Sequence, residues 1–177
     1  MPVSTPSPTA PTEIAPAEIA RFVDRDRLWA AHMKLAEYGA IANGGVDRPA
    51  LSATEIEAKR HIIGWARARG YQVSTDEAAN LFVRRAGRNP GAAPVLTGSH
   101  IDSQPRGGRF DGIFGVLAGL EVLAALDDAG AQTMRPIDVV SWTNEEGSRF
   151  DPACTGSMAF TGYARLAELI AARDGAG

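Results

Sequence analysis

The sequence predicts an α/β domain, a sheet with helices packed on it, and three observations predict it. Apolar residues recur at spacings of three and four in four stretches. Short runs rich in Val, Ile and Leu alternate with those stretches. Gly, Pro, Asp and Asn stand at the joins. Strand, helix, strand, helix in that order implies parallel strands with right-handed crossovers. The 177 residues suffice for one buried core and are too few for two ordinary domains.

The first 20 residues, "MPVSTPSPTAPTEIAPAEIA", are rich in Pro, Ser, Thr and Ala, cannot bury enough apolar surface to offset ordering, and predict a disordered tail. Residues 21–177 are then the α/β domain. Over 26–38, Leu28, Trp29, Ala31, His32, Leu35 and Tyr38 form an apolar stripe and Gly39 stops a first helix; His32 reads as a packed histidine. Ser52 followed by Glu55 is a capping-box pattern, and Ile56, Ile63 and Trp65 carry a second helix to Gly70. His61, with Glu57 one turn before it, reads as a surface or boundary residue of that helix. Alternation at Tyr71, Val73 and Thr75, a break near 76–79 and the run 81–84 predict a strand pair. "APVLTGSHID" predicts a strand buried on both faces. Residues 111–129 form a long apolar helix, "PIDVVSWTN" another buried strand, and 162–172 a last helix. No internal repeat is present.

Composition narrows the function. A hydrophobic fraction of 45% and a charged fraction of 22% are those of a globular chain. The net charge of -3 gives no reason to expect nucleic acid or an anionic membrane as partner. The single cysteine, Cys154, excludes an intramolecular disulfide and reads as a small buried residue. No secretion signal precedes Arg21 and no run approaches the ~20 apolar residues of a membrane span, so the expected location is cytoplasmic.

The residues that carry chemistry gather at predicted strand ends, where sites form in open α/β sheets. "TGSHIDSQPRGGRFDG" closes one strand with His100 and Asp102, which share a strand face, and sets Asp111 where the next helix begins. Asn144, Glu145 and Glu146 close the following strand. Taken singly, an aspartate at a helix start is usually an N-cap and two adjacent glutamates a solvated patch. Together, imidazole and carboxylates at adjoining strand ends suit metal-assisted hydrolysis, with one glutamate free to act as general base. No G-x-S-x-G or phosphate-loop motif competes.

"TGSHIDSQPRGGRFDGIFGVLAGLEVLAAL" and "PIDVVSWTNEEGSRFDPACTGSMAFTG" closely resemble the binuclear metal amidases of the hydantoinase/carbamoylase group, over about 26–164. That group includes N-carbamoyl-L-amino acid hydrolases, β-ureidopropionases and allantoate amidohydrolases, and is related to zinc exopeptidases such as aminoacylase. The resemblance implies the N-terminal part of a zinc-exopeptidase-like (phosphorylase/hydrolase-like) mixed sheet flanked by helices, with the lid and dimerisation domain absent. It implies two divalent ions (Zn, Mn, Co or Ni): His100 as ligand of one, Asp111 as bridging carboxylate and Glu146 as ligand of the other. Glu145 matches the general base, Asp102 the aspartate supporting the histidine, and Asn80 a substrate-binding position in a "GN" stretch whose glycine is here Ala79. In the family each ion takes a further histidine from sequence beyond this stretch, and full-length relatives are homodimers. The implied substrate is a small N-carbamoyl amino acid or related ureido compound, and the implied chain is truncated and inactive alone. An acyl-amino acid amidase or peptidase of the wider superfamily, or a non-catalytic fragment or binding module, are the alternatives.

Overall fold

The computed structural model describes residues 14–174. Of the expected tail, residues 1–13 lie outside the described part; Pro16–Ile19 forms one helical turn, α1, followed by the 3-10 turn Ala20–Phe22.

The first long helix, α2, spans Arg25–Leu35 and starts on Asp24, whose carboxylate accepts the N–H groups of Asp26 and Arg27 at 2.9 Å. It buries His32 and Leu35, while Trp29, expected on the buried stripe, stands 54% exposed. Arg27 of this helix holds the buried Glu121 carboxylate with two 2.7 Å bonds. The second helix, α3, spans Ala53–Ala68; Ser52 caps Glu55 N–H at 3.2 Å, but the Glu55 carboxylate returns to Leu51 N–H rather than to Ser52. Its buried face is Ala58, Ile62 and Ala66, and Ile56 is exposed. A periodicity count weighted to large side chains misses that face, because alanines are what let a helix lie close on a sheet. His61 is half-buried against Tyr38, a boundary position as expected.

Strands β1 (Gln72–Thr75), β2 (Leu81–Arg85), β3 (Val95–His100) and β4 (Ile137–Trp142) form one sheet in the order β1-β2-β4-β3. β3 and β4 are parallel, joined through helix α4 (Ile113–Asp128); β1 with β2 and β2 with β4 are antiparallel. The parallel β3–α4–β4 crossover expected from element order is present, inside the mixed sheet flanked by helices that the resemblance implies. The 76–80 turn is too short for a crossover, so the expected strand pair, β1 and β2, folds back on itself. Burial of β3 on both faces is corrected: it is the outer strand, and Val95 and Leu96 are 49% and 37% exposed. β4 lies between two strands and is buried along its length, as its apolar run requires.

Helix α4 covers β3 and β4, α3 covers β1 and β2, and α2 packs on α4. The core between the layers is built from Leu35, Ile62, Leu81, Val83, Val139, Ile113, Leu120 and Leu123. The helix expected over 162–172 is replaced by two shorter ones, α5 (Thr155–Thr161) and α6 (Leu166–Leu169). Gly162, at φ 69°, ends α5 in the left-handed conformation, so no single helix crosses it. Phe160 of α5 packs on Phe82 and Trp142, on the sheet face away from α3 and α4. Among the described residues no helix is long and apolar enough to cross a membrane.

Candidate metal centre at the strand ends

Because β3 and β4 run parallel, with His100 in register with Trp142, their carboxyl ends reach the same edge of the sheet. The segments leaving them form the site. Asp102, 1% exposed, ties the two ends together: its carboxylate accepts Glu145 N–H at 3.3 Å and Glu146 N–H at 3.2 Å. Burial pushes the Asp102 carboxyl above the usual range, against the opposing pull of His100 and of those two N–H bonds.

His100 is buried against Gly112 and Glu145. Its Nδ1 lies 2.9 Å from the backbone oxygen of Asp102. A carbonyl oxygen only accepts, so Nδ1 donates to it, and Nε2 is the ring nitrogen turned outward. Nε2 faces Glu145 Oε2 at 3.2 Å. At that distance a proton or a cation belongs between the two atoms. Asp102 therefore supports the histidine through its backbone oxygen, its carboxylate standing farther off, at 3.7 Å from Nδ1.

The two glutamates diverge. Glu145 leans to His100, and Glu146 accepts Gln104 Nε2 at 2.9 Å. Asp111 is exposed and caps nothing, since Gly112 holds the N-cap position of α4 without a side-chain cap bond. The N-cap reading of Asp111 thus fails locally, and its carboxylate is left open beside the site turn. Asn80 is fully buried: its amide NH2 bonds Asp76 Oδ2 at 2.8 Å and the Gly156 carbonyl at 3.0 Å, and its oxygen accepts Thr143 N–H at 2.9 Å. With both donors used on the protein it holds β2, the end of β4 and α5 together. Cys154, expected as a buried filler, is half-buried in the left-handed region at φ 59°, with Sγ 3.7 Å from the Glu145 carbonyl. Burial, with the negative charges of Glu145 and Asp102, pushes its thiol up.

Sequence reasoning missed Gln104, the glycine against the His100 ring and the buried Arg48 behind Ile101. Nothing in the pattern "GGVDRPA" marks Arg48, because its partners are carbonyls of distant segments.

Whether these residues suit divalent ions turns on donor chemistry and convergence. The outward Nε2, an open aspartate and two carboxylates are the donors that zinc or manganese takes. Among the described residues, however, no group of three or more His, Cys, Asp or Glu side chains converges closely enough to hold an ion. The donor set fits in kind, and the described residues alone do not close a site.

Residues 96–175 match the model of peptidase family M20/M25/M40. More narrowly, the chain is similar in sequence and fold to hydantoinase/carbamoylase amidases. A hydantoinase/carbamoylase family amidase from Burkholderia ambifaria superposes with a TM-score of 0.86 at 50% identity, over 88% of this chain and 38% of that one. An N-carbamoyl-L-amino-acid amidohydrolase of Rhizobium meliloti is 42% identical over 160 residues, 90% of this chain and 38% of the relative. One from Geobacillus stearothermophilus is 44% identical over 141 residues, 80% of this chain and 34% of the relative. The chain thus spans little more than a third of the length of these relatives. M20 family amidohydrolases are in general dependent on divalent metal.

Proposed function

We propose that this chain supplies the base and part of the ligand set of a metal-dependent amidohydrolase that cleaves the ureido C–N bond of N-carbamoyl-L-amino acids. The observation that carries the reading is the His100 Nε2 facing the Glu145 carboxylate at 3.2 Å, at an edge where Asp102 holds both strand ends. His100, Asp111 and Glu146 are the residues that would hold two divalent ions, with Asp111 shared between them. When bound, such ions acidify a water molecule and polarise the ureido carbonyl. Asp102 fixes the ring of His100 through its backbone oxygen and keeps Glu145 and Glu146 on the same edge through its carboxylate. Glu145, partly exposed at the mouth of the site, takes a proton from the attacking water and returns it to the departing nitrogen. The products of the complete reaction are the amino acid, carbon dioxide and ammonia.

Residues 21–177 belong in this reading to the catalytic domain, 1–20 to a tail, and the whole enzyme is a cytoplasmic homodimer. N-carbamoyl-L-amino acids are preferred among ureido compounds because the relatives named for them are 42% and 44% identical. The test is a chimera in which this chain replaces the matching segment of the Rhizobium meliloti enzyme. Ammonia release from N-carbamoyl-L-amino acids should depend on added zinc, manganese, cobalt or nickel. Glu145→Gln should keep the metal and lose about 10²–10⁴-fold in rate, because an amide cannot take the proton; Glu146→Gln should lose metal, because an amide is the poorer donor. Metal content by emission spectroscopy beside kinetics decides it, and the reverse pattern would exchange the two roles.

A further inference from the structure

Arg48 is the largest of the fully buried side chains, 1% exposed, and it lies behind the site rather than in it. Its guanidinium donates only to backbone carbonyls: Nε to Ile101 at 2.6 Å, and Nη1 to Leu35 at 2.9 Å and Tyr38 at 2.8 Å. The first of these belongs to the residue between His100 and Asp102; the other two belong to the end of α2 and the turn after it. The backbone of Arg48 adds a second tie to the same loop. Its N–H donates to Ser103 Oγ, and its carbonyl accepts Ser103 N–H, both at 2.9 Å. Two residues earlier, Val46 N–H donates to the Gly107 carbonyl at 3.0 Å. Residues 46–48 therefore line the back of the loop whose front carries His100 and Asp102.

A buried cation is expensive to desolvate, and one whose hydrogen bonds go to carbonyls alone is not explained as half of an ion pair. The negative charges acting on it are the carboxylates of Glu55 and Asp102. Asp102 in turn holds the N–H groups of Glu145 and Glu146. The planar fork of Arg48 can reach three carbonyls in different directions, which a lysine ammonium on its flexible stem does not hold as one rigid unit.

We propose that Arg48 is a positioning residue of the site: by fixing the Ile101 carbonyl it sets the direction in which His100 and Asp102 leave β3, and through Asp102 it places Glu145 and Glu146. The reading of these residues as metal ligands and base is that of the proposed function; the placement itself does not depend on it. The experiment uses the 177-residue chain with Arg48→Met and Arg48→Lys. Long-range 15N–1H spectra report the His100 ring, amide spectra report Glu145 and Glu146, and a zinc titration reports affinity. In both variants the His100 ring nitrogens and the two glutamate amides should shift, with zinc affinity falling about 10–100-fold. Val83→Ala, a core change in β2, should lower the melting temperature and leave those signals in place. Unchanged His100 and glutamate signals in Arg48→Met, full restoration by Arg48→Lys, or loss of folding in both variants would overturn the proposal. If the unmutated chain binds no zinc, the metal reading fails and the spectra still decide the role of Arg48.

Discussion

Gly112 is where a single atom decides the geometry of the site. It sits at φ 66°, and a Cβ there would fall 2.4 Å from Cε1 and Nε2 of His100. Gly112→Ala should therefore strain the backbone and push the imidazole aside. The expected cost is about 2 kcal/mol, read from urea denaturation, with loss of whatever zinc binding the chain shows. His32 makes a different point. It is buried between Phe110 and Phe114 with neither ring nitrogen bonded to a described residue, and burial pulls its pKa below the ordinary 6.5. A histidine whose folded pKa is depressed stabilises the fold above the unfolded value and loses that contribution as pH falls through the folded one. Stability should accordingly decline as pH drops below about 6.5. His32→Leu should flatten part of that decline and stay within about 1 kcal/mol of the unmutated chain at pH 7.5, since it removes two unpaired polar atoms. His61, also lowered by burial, contributes a slope of the same sign. Denaturation curves at pH 5, 6 and 7.5 measure both effects.

At the scale of elements, the junction of β2, β4 and α5 rests on one side chain. Gly156 approaches Asn80 so closely that a Cβ would stand 2.0 Å from Oδ1, and the amide there replaces the ladder that Thr143 has left. Asn80→Ala would orphan the Thr143 N–H in the interior and take one donor from the Gly156 carbonyl. A loss of about 2–3 kcal/mol in urea denaturation is expected. Asn80→Asp keeps the acceptor for Thr143 but sets a carboxylate against Asp76 and a carbonyl, so it should not restore stability. A substrate-binding role would give the opposite pattern, near-native stability with altered KM in the chimera. The loop this junction supports is closed by its own bonds: Asn144 donates to the Phe150 and Pro152 carbonyls and to Thr155 Oγ1, and Cys154 N–H bonds the Glu145 carbonyl. Glu145 and Glu146 are thus presented from a rigid neck, not from a free loop.

For the molecule as a whole, the expected result is little or no turnover by the isolated chain. The described residues bring His100 to Glu145 and Glu146 to Gln104, and no three donors meet. Structural zinc sites ordinarily need four ligands and catalytic ones three, so metal should bind weakly. Ammonia release from N-carbamoyl-L-amino acids, with and without zinc, manganese or cobalt, is the measurement. Turnover near that of an intact relative would mean that the ligands present suffice.

What the sequence by itself determined is the set of elements and the identity of the donors. Periodicity located α2, α3 and α4, and the apolar runs located β3 and β4, because local spacing reflects the face each element must bury. His100, Asp102, Glu145 and Glu146 were legible because the carboxyl ends of parallel strands share an edge, so residues 45 positions apart in the chain become neighbours by topology alone. Tertiary structure alone decided the rest. The exposure of the outer strand and the break at Gly162 depend on pairing partners and on backbone dihedrals that composition does not encode. Asn80 became a clamp, Asp102 a link between strand ends and Arg48 a buried fork for the same reason: each is defined by backbone groups it meets across the fold, and a carbonyl or an N–H is the same at every residue, so no sequence pattern marks which one will be met.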